Sequence, residues 1–279
     1  MSSHRSVPST DEQWKQLIDA ASRAMKVSNE PRALPTSAIS KTLDHTLLKL
    51  DATPSQIDAL CEEARDVDPE KTVCVRPNYV SRCVANLKGT DVKVASVIGF
   101  HEGTYDTAYK LKETSESLQG GATELDVVIN WPQIKSSHYN DIYHELHAIR
   151  EAAPRPTLLK LIFETSQLED SEIVAACVLA SSADFDYVKT STGFLGHGAK
   201  IEHVQLMSAA CDHLGGSKKM LVKASGGVRS LQDALTMLRA GASRLGTSAG
   251  VAIATQANIA DAQAHTGAAE NTHESSTEY

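Results

Sequence analysis

The chain has 279 residues, of which 41% are hydrophobic and 22% are charged. This composition supplies a large apolar core and excludes an intrinsically disordered protein. Its 27 basic and 35 acidic residues give a formal net charge of −8, and lysine and arginine are not concentrated in any segment. We therefore expect a small-molecule partner, with no nucleic acid and no membrane surface among its ligands.

The cysteines and the first residues of the chain bear on its compartment. Five cysteines are scattered along the sequence and none forms a CxxC pair. This pattern argues against a disulfide framework and against a structural zinc site. Residues 1–36 mix acidic with basic side chains and lack the apolar stretch of a signal peptide. A cytoplasmic location is therefore expected.

Three regions follow one another along the chain. Residues 1–36 are predicted to form a helical arm, with Thr10 as the N-cap and Trp14, Leu17 and Ile18 on one face. Residues 37–264 alternate short β-branched runs with segments of helical period. Residues 265–279 are polar and are predicted to form a flexible tail. Strands are predicted at 39–45, 72–75, 92–98, 124–129, 158–163, 187–190, 220–223 and 244–246. Helices are predicted between them at 55–66, 78–87, 104–119, 140–152, 170–183, 202–213 and 230–240.

The alternation of strands and helices predicts a parallel sheet. A doubly wound open sheet would also fit this order. Eight even units of roughly 26 residues, with no GxGxxG after the first strand, instead favour a closed TIM (β/α)8 barrel. Residues 188–193 and 222–227 share the pattern V-K-x-S-x-G. This repeated pattern places Lys189 and Lys223 side by side on two adjacent strands. Neighbouring strands lie about 4.8 Å apart.

Polar residues in otherwise apolar strands are the candidate reactive groups, because barrel sites gather at the C-terminal ends of strands. They are Asp44, Cys74, Asp126, Lys160, Lys189 and Lys223. A buried structural ion network is one interpretation, but two lysines beside one carboxylate are poorly compensated. In the other, a second ammonium and desolvation lower the pKa of Lys189 until its amine can attack a carbonyl. Lys189 is then the Schiff-base nucleophile, Lys223 its electrostatic partner and Asp126 a proton shuttle.

Glycine-containing turns follow the last three predicted strands. Backbone N–H groups and helix N-termini at such turns suit a phosphate dianion, which barrels often bind after strands seven and eight. The predicted phosphate-binding residues are Thr192, Gly193, Gly226, Gly227, Arg229, Gly246 and Ser248.

Eight stretches of the chain, in order, resemble the deoxyribose-phosphate aldolases, which are class I aldolases on a TIM barrel. They are LDHTLLK (43–49), VCVRPNYV (73–80), VKVASVIGF (92–100), GATELDVVINW (121–131), LLKLIFET (158–165), DYVKTSTGF (186–194), VKASGGVR (222–229) and AGASRLGTSAGV (240–251). The pairing of KTSTG with KASGGVR is specific to this family.

The resemblance implies an activity and a role for each matching residue. The reaction is reversible cleavage of 2-deoxy-D-ribose 5-phosphate to D-glyceraldehyde 3-phosphate and acetaldehyde in deoxyribonucleoside catabolism, with no cofactor and no metal. Lys189 matches the imine-forming lysine, Lys223 the lysine that lowers its pKa, and Asp126 the aspartate that moves protons with a water. Asp44 and Thr46 match a motif near the hydroxyls of the acceptor aldehyde. Cys74 matches a cysteine near the pocket, and Lys160 is placed among the substrate-binding residues.

Two positions are open within the resemblance. Phe194 follows KTSTG at a position where some members carry a lysine. The absence of that positive charge would weaken phosphate binding. Tyr279 ends the chain, and in some similar enzymes a C-terminal tyrosine assists proton transfer. His101, after the third strand, is a candidate for the mouth of the barrel. Members of this kind are often dimers or tetramers, so a homodimer or homotetramer is expected.

Other functions remain alternatives. A non-catalytic barrel could bind a phosphosugar or a protein partner, with the arm as the interacting element. An aldolase or transaldolase for another sugar phosphate is the alternative within the enzyme class. A metal-dependent class II aldolase is disfavoured by the lack of a His/Glu ligand cluster in the sequence. The set of Lys189, Lys223 and Asp126 favours the aldolase, since a binding module does not need paired lysines.

Overall fold

Eight parallel strands close into one barrel in the order β1-β2-β3-β4-β5-β6-β7-β8. The computed structural model describes residues 7–34, 39–67, 72–215 and 219–270. The strands are β1 (Leu43–Thr46), β2 (Thr72–Val75), β3 (Lys93–Ile98), β4 (Glu124–Val128), β5 (Leu158–Ile162), β6 (Tyr187–Lys189), β7 (Leu221–Ser225) and β8 (Arg244–Thr247). The TIM barrel expected from the alternation is confirmed.

Ten α-helices accompany these strands in the described residues. They are α1 (Asp11–Ala24), α2 (Pro54–Val67), α3 (Val80–Asn86), α4 (Thr107–Gln119), α5 (Trp131–Lys135), α6 (Tyr139–Ala152), α7 (Asp170–Ser182), α8 (Ile201–Leu214), α9 (Leu231–Ala240) and α10 (Gly250–Glu270). All of them are too short or too polar to span a bilayer.

The structure departs from the predicted elements at several places. Residues Ile39–Thr42 form a 3-10 helix rather than the start of β1, and the Thr42 hydroxyl donates to the Ile39 carbonyl at 2.7 Å. Helix α5 was not predicted, because its five residues are too few to show a helical period. Helix α10 was not among the predicted helices, and it runs to Glu270, past position 264, where the barrel was predicted to end.

The predicted arm helix is confirmed as α1, and it packs on the barrel of its own chain. The Thr10 side chain accepts from the Gln13 amide, as an N-cap does. Trp14 is fully buried and its ring lies 4.9 Å from that of Tyr143 on α6. Helix α1 also contacts α7, whose residues 173–180 are all buried. The arm thus explains why α7 is apolar on every face, since α1 covers the side that would otherwise meet water.

Side chains that point into the barrel form layers, each contributed by alternate strands. At the N-terminal end of the barrel, the strand register and contacts bring together Thr72, Glu124, Tyr187 and Arg244. The next layer holds Asp44, Ala95, Lys160 and Lys223, and the layer above it Cys74, Asp126, Lys189 and Gly246. Barrel interiors usually carry Val, Ile and Leu, so this charged interior marks where the chemistry lies.

Candidate active site

Lys189 and Lys223 are direct neighbours on β6 and β7, as the repeated motif predicts. They are register partners, and both side chains are buried. Their Nζ atoms lie 2.8 and 2.7 Å from the same oxygen, Oδ2 of Asp126 on β4. One carboxylate oxygen therefore holds both lysines, and the three residues proposed for catalysis meet in one cluster.

Lys160 binds the other oxygen of Asp126. Its Nζ lies 2.6 Å from Oδ1 of Asp126 and 2.7 Å from Oε2 of Glu124, and the side chain is fully buried. Asp44 accepts from Lys223 and from Arg244. Asp44 and Lys160 therefore lie within the charged interior, beneath the reactive lysine rather than on the cavity wall.

The surroundings give Lys189 and Lys223 different proton affinities. Burial lowers the pKa of Lys189, and the Lys223 charge lowers it further, against the opposing effect of Asp126. Burial alone would also lower the pKa of Lys223, but Asp126 and Asp44 together raise it. Burial disfavours the charged form of Asp126, yet the neighbouring lysines hold its pKa well below the usual range. Lys189 is thus the lysine that reaches the neutral, nucleophilic form most readily.

A cavity of about 300 Å³ opens above Lys189 at the C-terminal ends of the strands. Lys189 and Thr46 line it, together with the whole predicted phosphate set: Thr192, Gly193, Gly226, Gly227, Arg229, Gly246 and Ser248. The structure therefore joins the candidate nucleophile and the candidate phosphate residues in one cavity. Within the described residues, His, Cys, Asp and Glu side chains form no group of three or more suited to a metal ion.

The turn after β7 depends on glycine. Gly226 has a φ of 86°, and a Cβ there would lie 2.9 Å from the Cα of Gly198. Gly227 also has a positive φ, of 82°, and a Cβ there would meet nothing within 4 Å. The first glycine is needed for close backbone packing, and both leave main-chain atoms accessible to a ligand.

A buried carboxylate supports the loop after β6. Glu164 is fully buried, and its Oε2 accepts from the Thr192 amide at 3.1 Å and from the Thr192 hydroxyl. Its Oε1 accepts from the Ser166 hydroxyl at 3.1 Å. Glu164 thereby fixes the position of Thr192 and Gly193 on the cavity wall.

An aromatic group flanks the mouth of the cavity. Phe194 lines the cavity and is 43% exposed. Its ring lies 5.2 Å from that of Phe100 and 4.9 Å from that of His101. His101 thus lies at the mouth of the cavity beside Phe194.

Of two further predicted residues, Cys74 does not line the cavity and Tyr279 lies outside the part of the chain that the structure describes. Cys74 is fully buried in a small apolar cluster with Leu48, Ala95 and Phe100, and burial raises the pKa of its thiol to about 11. This thiol stays neutral near neutral pH. Tyr279 lies outside the described residues, so its part in proton transfer stays a prediction.

Sequence reasoning missed four charged residues of the site: Lys49, Glu124, Glu164 and Arg244. Lys49 lines the cavity just after β1, and its loop position carries no periodic signal. Glu124 precedes Asp126 by two residues, as Arg244 precedes Gly246, so strand parity could have placed both on the inner face. Glu164 stands in the predicted strand-end motif LLKLIFET, where its burial could not be foreseen.

Comparisons with known proteins agree with this geometry. The sequence profile of the DeoC/LacD family aldolases matches residues 39–256. A deoxyribose-phosphate aldolase of Coccidioides immitis is 48% identical over 91% of this chain and 94% of its own length. One from Oceanobacillus iheyensis is 46% identical over 77% of this chain and 95% of its own length.

Solved structures show the same relationship. A structure described as a deoxyribose-phosphate aldolase from Coccidioides immitis superposes with a TM-score of 0.84 and is 49% identical, covering 89% of this chain and 98% of that one. The deoxyribose phosphate aldolase of Aeropyrum pernix, described as a tetramer, has a TM-score of 0.68 and 32% identity, covering 78% of this chain and 89% of that one. With a profile match over most of its length and such relatives, the chain belongs to the DeoC/LacD family of aldolases.

Proposed function

We propose that the protein is a deoxyribose-phosphate aldolase, which reversibly cleaves 2-deoxy-D-ribose 5-phosphate to D-glyceraldehyde 3-phosphate and acetaldehyde. The observation that carries this proposal is the Lys189 amine at a cavity, sharing one Asp126 oxygen with Lys223. The names of the relatives at 46–48% identity support the choice of substrate.

The cleavage begins at the amine of Lys189. Its nitrogen adds to the C1 aldehyde of the open-chain sugar, and loss of water gives an iminium ion. A base then takes the proton of the C3 hydroxyl, the C2–C3 bond breaks, and its electrons pass to the iminium to give an enamine. D-Glyceraldehyde 3-phosphate leaves with C3 as its aldehyde carbon. Protonation of the enamine at C2 and hydrolysis release acetaldehyde and restore the amine.

Asp126 is the group placed to move protons during these steps, and Lys223 acts through its charge. Oδ2 of Asp126 accepts from the Lys189 nitrogen, where water is gained and lost, and from Lys223. The lowered pKa of Asp126 keeps it ionised, so it can accept a proton and return it. The charge of Lys223 lowers the pKa of Lys189 and so favours its neutral form before attack.

The wall of the cavity supplies the groups that would hold the phosphate. Gly226 and Gly227 expose backbone there, Ser248 offers a hydroxyl, and Arg229 and Lys49 offer positive charge. Thr46 lies on the same wall, where it can contact the hydroxyls of the acceptor. The proposal also includes assembly into a homodimer or homotetramer and a cytoplasmic location. The tetrameric relative supports the assembly.

Borohydride trapping tests the proposal directly. The protein is incubated with acetaldehyde and borohydride and its intact mass is measured beside Lys189→Ala and a surface control, Lys112→Ala. We expect a gain of one ethyl group in the wild type and the control, mapped to Lys189, and none in Lys189→Ala. A folded wild-type protein without an adduct would contradict the aldolase and favour a phosphosugar-binding barrel. Release of D-glyceraldehyde 3-phosphate from 2-deoxy-D-ribose 5-phosphate then tests the substrate.

A further inference from the structure

The charged interior of the barrel contains unequal numbers of acidic and basic side chains. Its three carboxylates contact four basic groups, and every side chain is buried except that of Arg244, which is 14% exposed. The members are Asp44, Glu124, Asp126, Lys160, Lys189, Lys223 and Arg244. Desolvated charges are costly unless they are paired. With three carboxylates for four basic groups, one basic group is in excess.

The contacts identify which basic group gives up its proton. A guanidinium cannot do so in a protein. Lys223 contacts two carboxylates, and Lys160 contacts Glu124 and Asp126 at 2.7 and 2.6 Å with Asp44 at 3.9 Å. Within the described residues, Lys189 has one carboxylate at ion-pair distance, Asp126, on an oxygen that Lys223 also binds. Lys189 therefore loses its proton at the lowest cost.

Arg244 supplies the excess charge from the end of the barrel opposite the cavity. Its Nε lies 2.8 Å from Oδ1 of Asp44, and its Nη2 donates to the same oxygen. Its Nη1 and Nη2 lie 3.3 and 3.2 Å from the two oxygens of Glu124. Nη2 also donates to the Thr72 hydroxyl at 2.7 Å, so the guanidinium is held on several sides.

We propose that Arg244 is a positioning residue for the amine chemistry: by binding Asp44 and Glu124, it provides the excess cation that leaves Lys189 as a free amine. The inference rests on the proposed function, because it assigns Arg244 a role in preparing the nucleophile. Arg244 acts through the chain of Asp44, Lys223 and Asp126 and not by touching substrate. Without it, three carboxylates would face three lysines, and every ammonium would be balanced.

Other ionisable groups around Lys189 leave this balance in place. The groups facing it are Asp126 from β4, Lys223 from β7 and Cys74 from β2, with Asp44 and Lys160 behind them. Cys74 does not add charge near neutral pH, because burial raises its pKa to about 11. On the cavity side, the described lining adds Lys49 and Arg229 but no carboxylate, so nothing there offsets the excess positive charge.

The pH dependence of adduct formation tests this role. The rate of borohydride-trapped adduct formation with acetaldehyde is measured from acidic to alkaline pH. In Arg244→Met we expect the acid side of the profile to move to higher pH, with a rate about tenfold lower near pH 6 that approaches the wild-type rate in alkali. Arg244→Lys keeps the charge and is expected to keep the wild-type profile.

Removing a carboxylate should have the opposite effect. Glu124→Gln increases the excess of positive charge, so its profile should move to lower pH. The double variant Arg244→Met/Glu124→Gln restores an excess of one cation, and its profile should return toward the wild type. Arg82→Met is the matched control, since Arg82 pairs with Asp58 at the surface.

The outcomes separate positioning from packing. A loss of rate in Arg244→Met that is equal at every pH and is not repaired in the double variant would overturn the inference. So would a wild-type profile in folded Arg244→Met. If that variant does not fold, an unshifted profile in Glu124→Gln overturns it instead. A wild-type protein that forms no adduct at Lys189 would overturn the proposed function, a result distinct from either.

Discussion

The charge of Lys223 is the nearest influence on the Lys189 amine that a single substitution can remove. Lys223→Met takes away the ammonium and keeps an unbranched stem. The stem matters because Gly246 lies against it: a Cβ at position 246 would be 3.1 Å from the Lys223 Cε. A methionine fills this space without a charge, so the variant tests electrostatics with little change in packing.

The size of the effect follows from the shared oxygen. Each lysine nitrogen lies within 2.8 Å of Oδ2 of Asp126. The two nitrogens are thus separated by no more than twice that distance, about 5.6 Å, where like charges repel by about 3 kcal/mol at an effective dielectric constant of about 20. Losing this repulsion lowers the ratio of neutral to charged Lys189 by about a hundredfold at a given pH. The freed Asp126 oxygen then favours the Lys189 ammonium further.

The assay is the rate of borohydride-trapped adduct formation at Lys189 as a function of pH. Lys223→Met should react about a hundredfold more slowly than the wild type at pH 7. The two rates should converge as rising pH deprotonates Lys189 in both proteins. Lys112→Met is the control, since that lysine is exposed and pairs with Glu116 on the same helix. A folded Lys223→Met protein with the wild-type rate and profile would refute the electrostatic argument.

Three further predictions concern substrate binding and stability. Lys49→Met should raise KM for 2-deoxy-D-ribose 5-phosphate about tenfold or more, because a hydrogen bond to a charged group contributes about 1.5–3 kcal/mol. The control is steady-state cleavage of unphosphorylated 2-deoxyribose, whose kinetics should be unchanged. Phe194→Lys should lower KM for the phosphorylated sugar alone, and equal KM values for variant and wild type would show that the side chain at 194 does not face the phosphate. Trp14→Ala should lower the free energy of unfolding by about 3–5 kcal/mol in urea denaturation, as expected for a fully buried tryptophan, and a change below about 1 kcal/mol would mean that the arm is not bound to the barrel in solution.

The strands were predictable because each is a short β-branched run between helical segments. The prediction for β2, residues 72–75, coincides with the structure, whereas that for β1 began four residues early. Ile39 is β-branched and extended the apparent run, but residues Ile39–Thr42 turn in a 3-10 helix closed by the Thr42 hydroxyl. A local side-chain hydrogen bond of this kind competes with strand formation, and the hydrophobic pattern does not report it.

The reactive lysines were predictable for a different reason. The repeated V-K-x-S-x-G put Lys189 and Lys223 at equivalent positions of adjacent strands, and the strand register confirms this. Arg244 and Glu124 were not predicted because the sites of barrels are expected at the C-terminal strand ends, where ligands bind. Both stand first in their strands, at the opposite end of the barrel, and act on the site only through other charged side chains.

The alternation within a single strand places its charged residues on one face, but sequence alone could not show how those charges are balanced. In β4, Leu125 and Val127 are fully buried in the apolar core between barrel and helices, while Glu124 and Asp126 are buried in the charged interior. An alternating strand normally has its polar side in water. Closure of the barrel removes water from both sides, so the polar side must be balanced by charges from other strands. The same strands therefore hold the fold together through their outward residues and set the proton affinity of Lys189 through their inward ones.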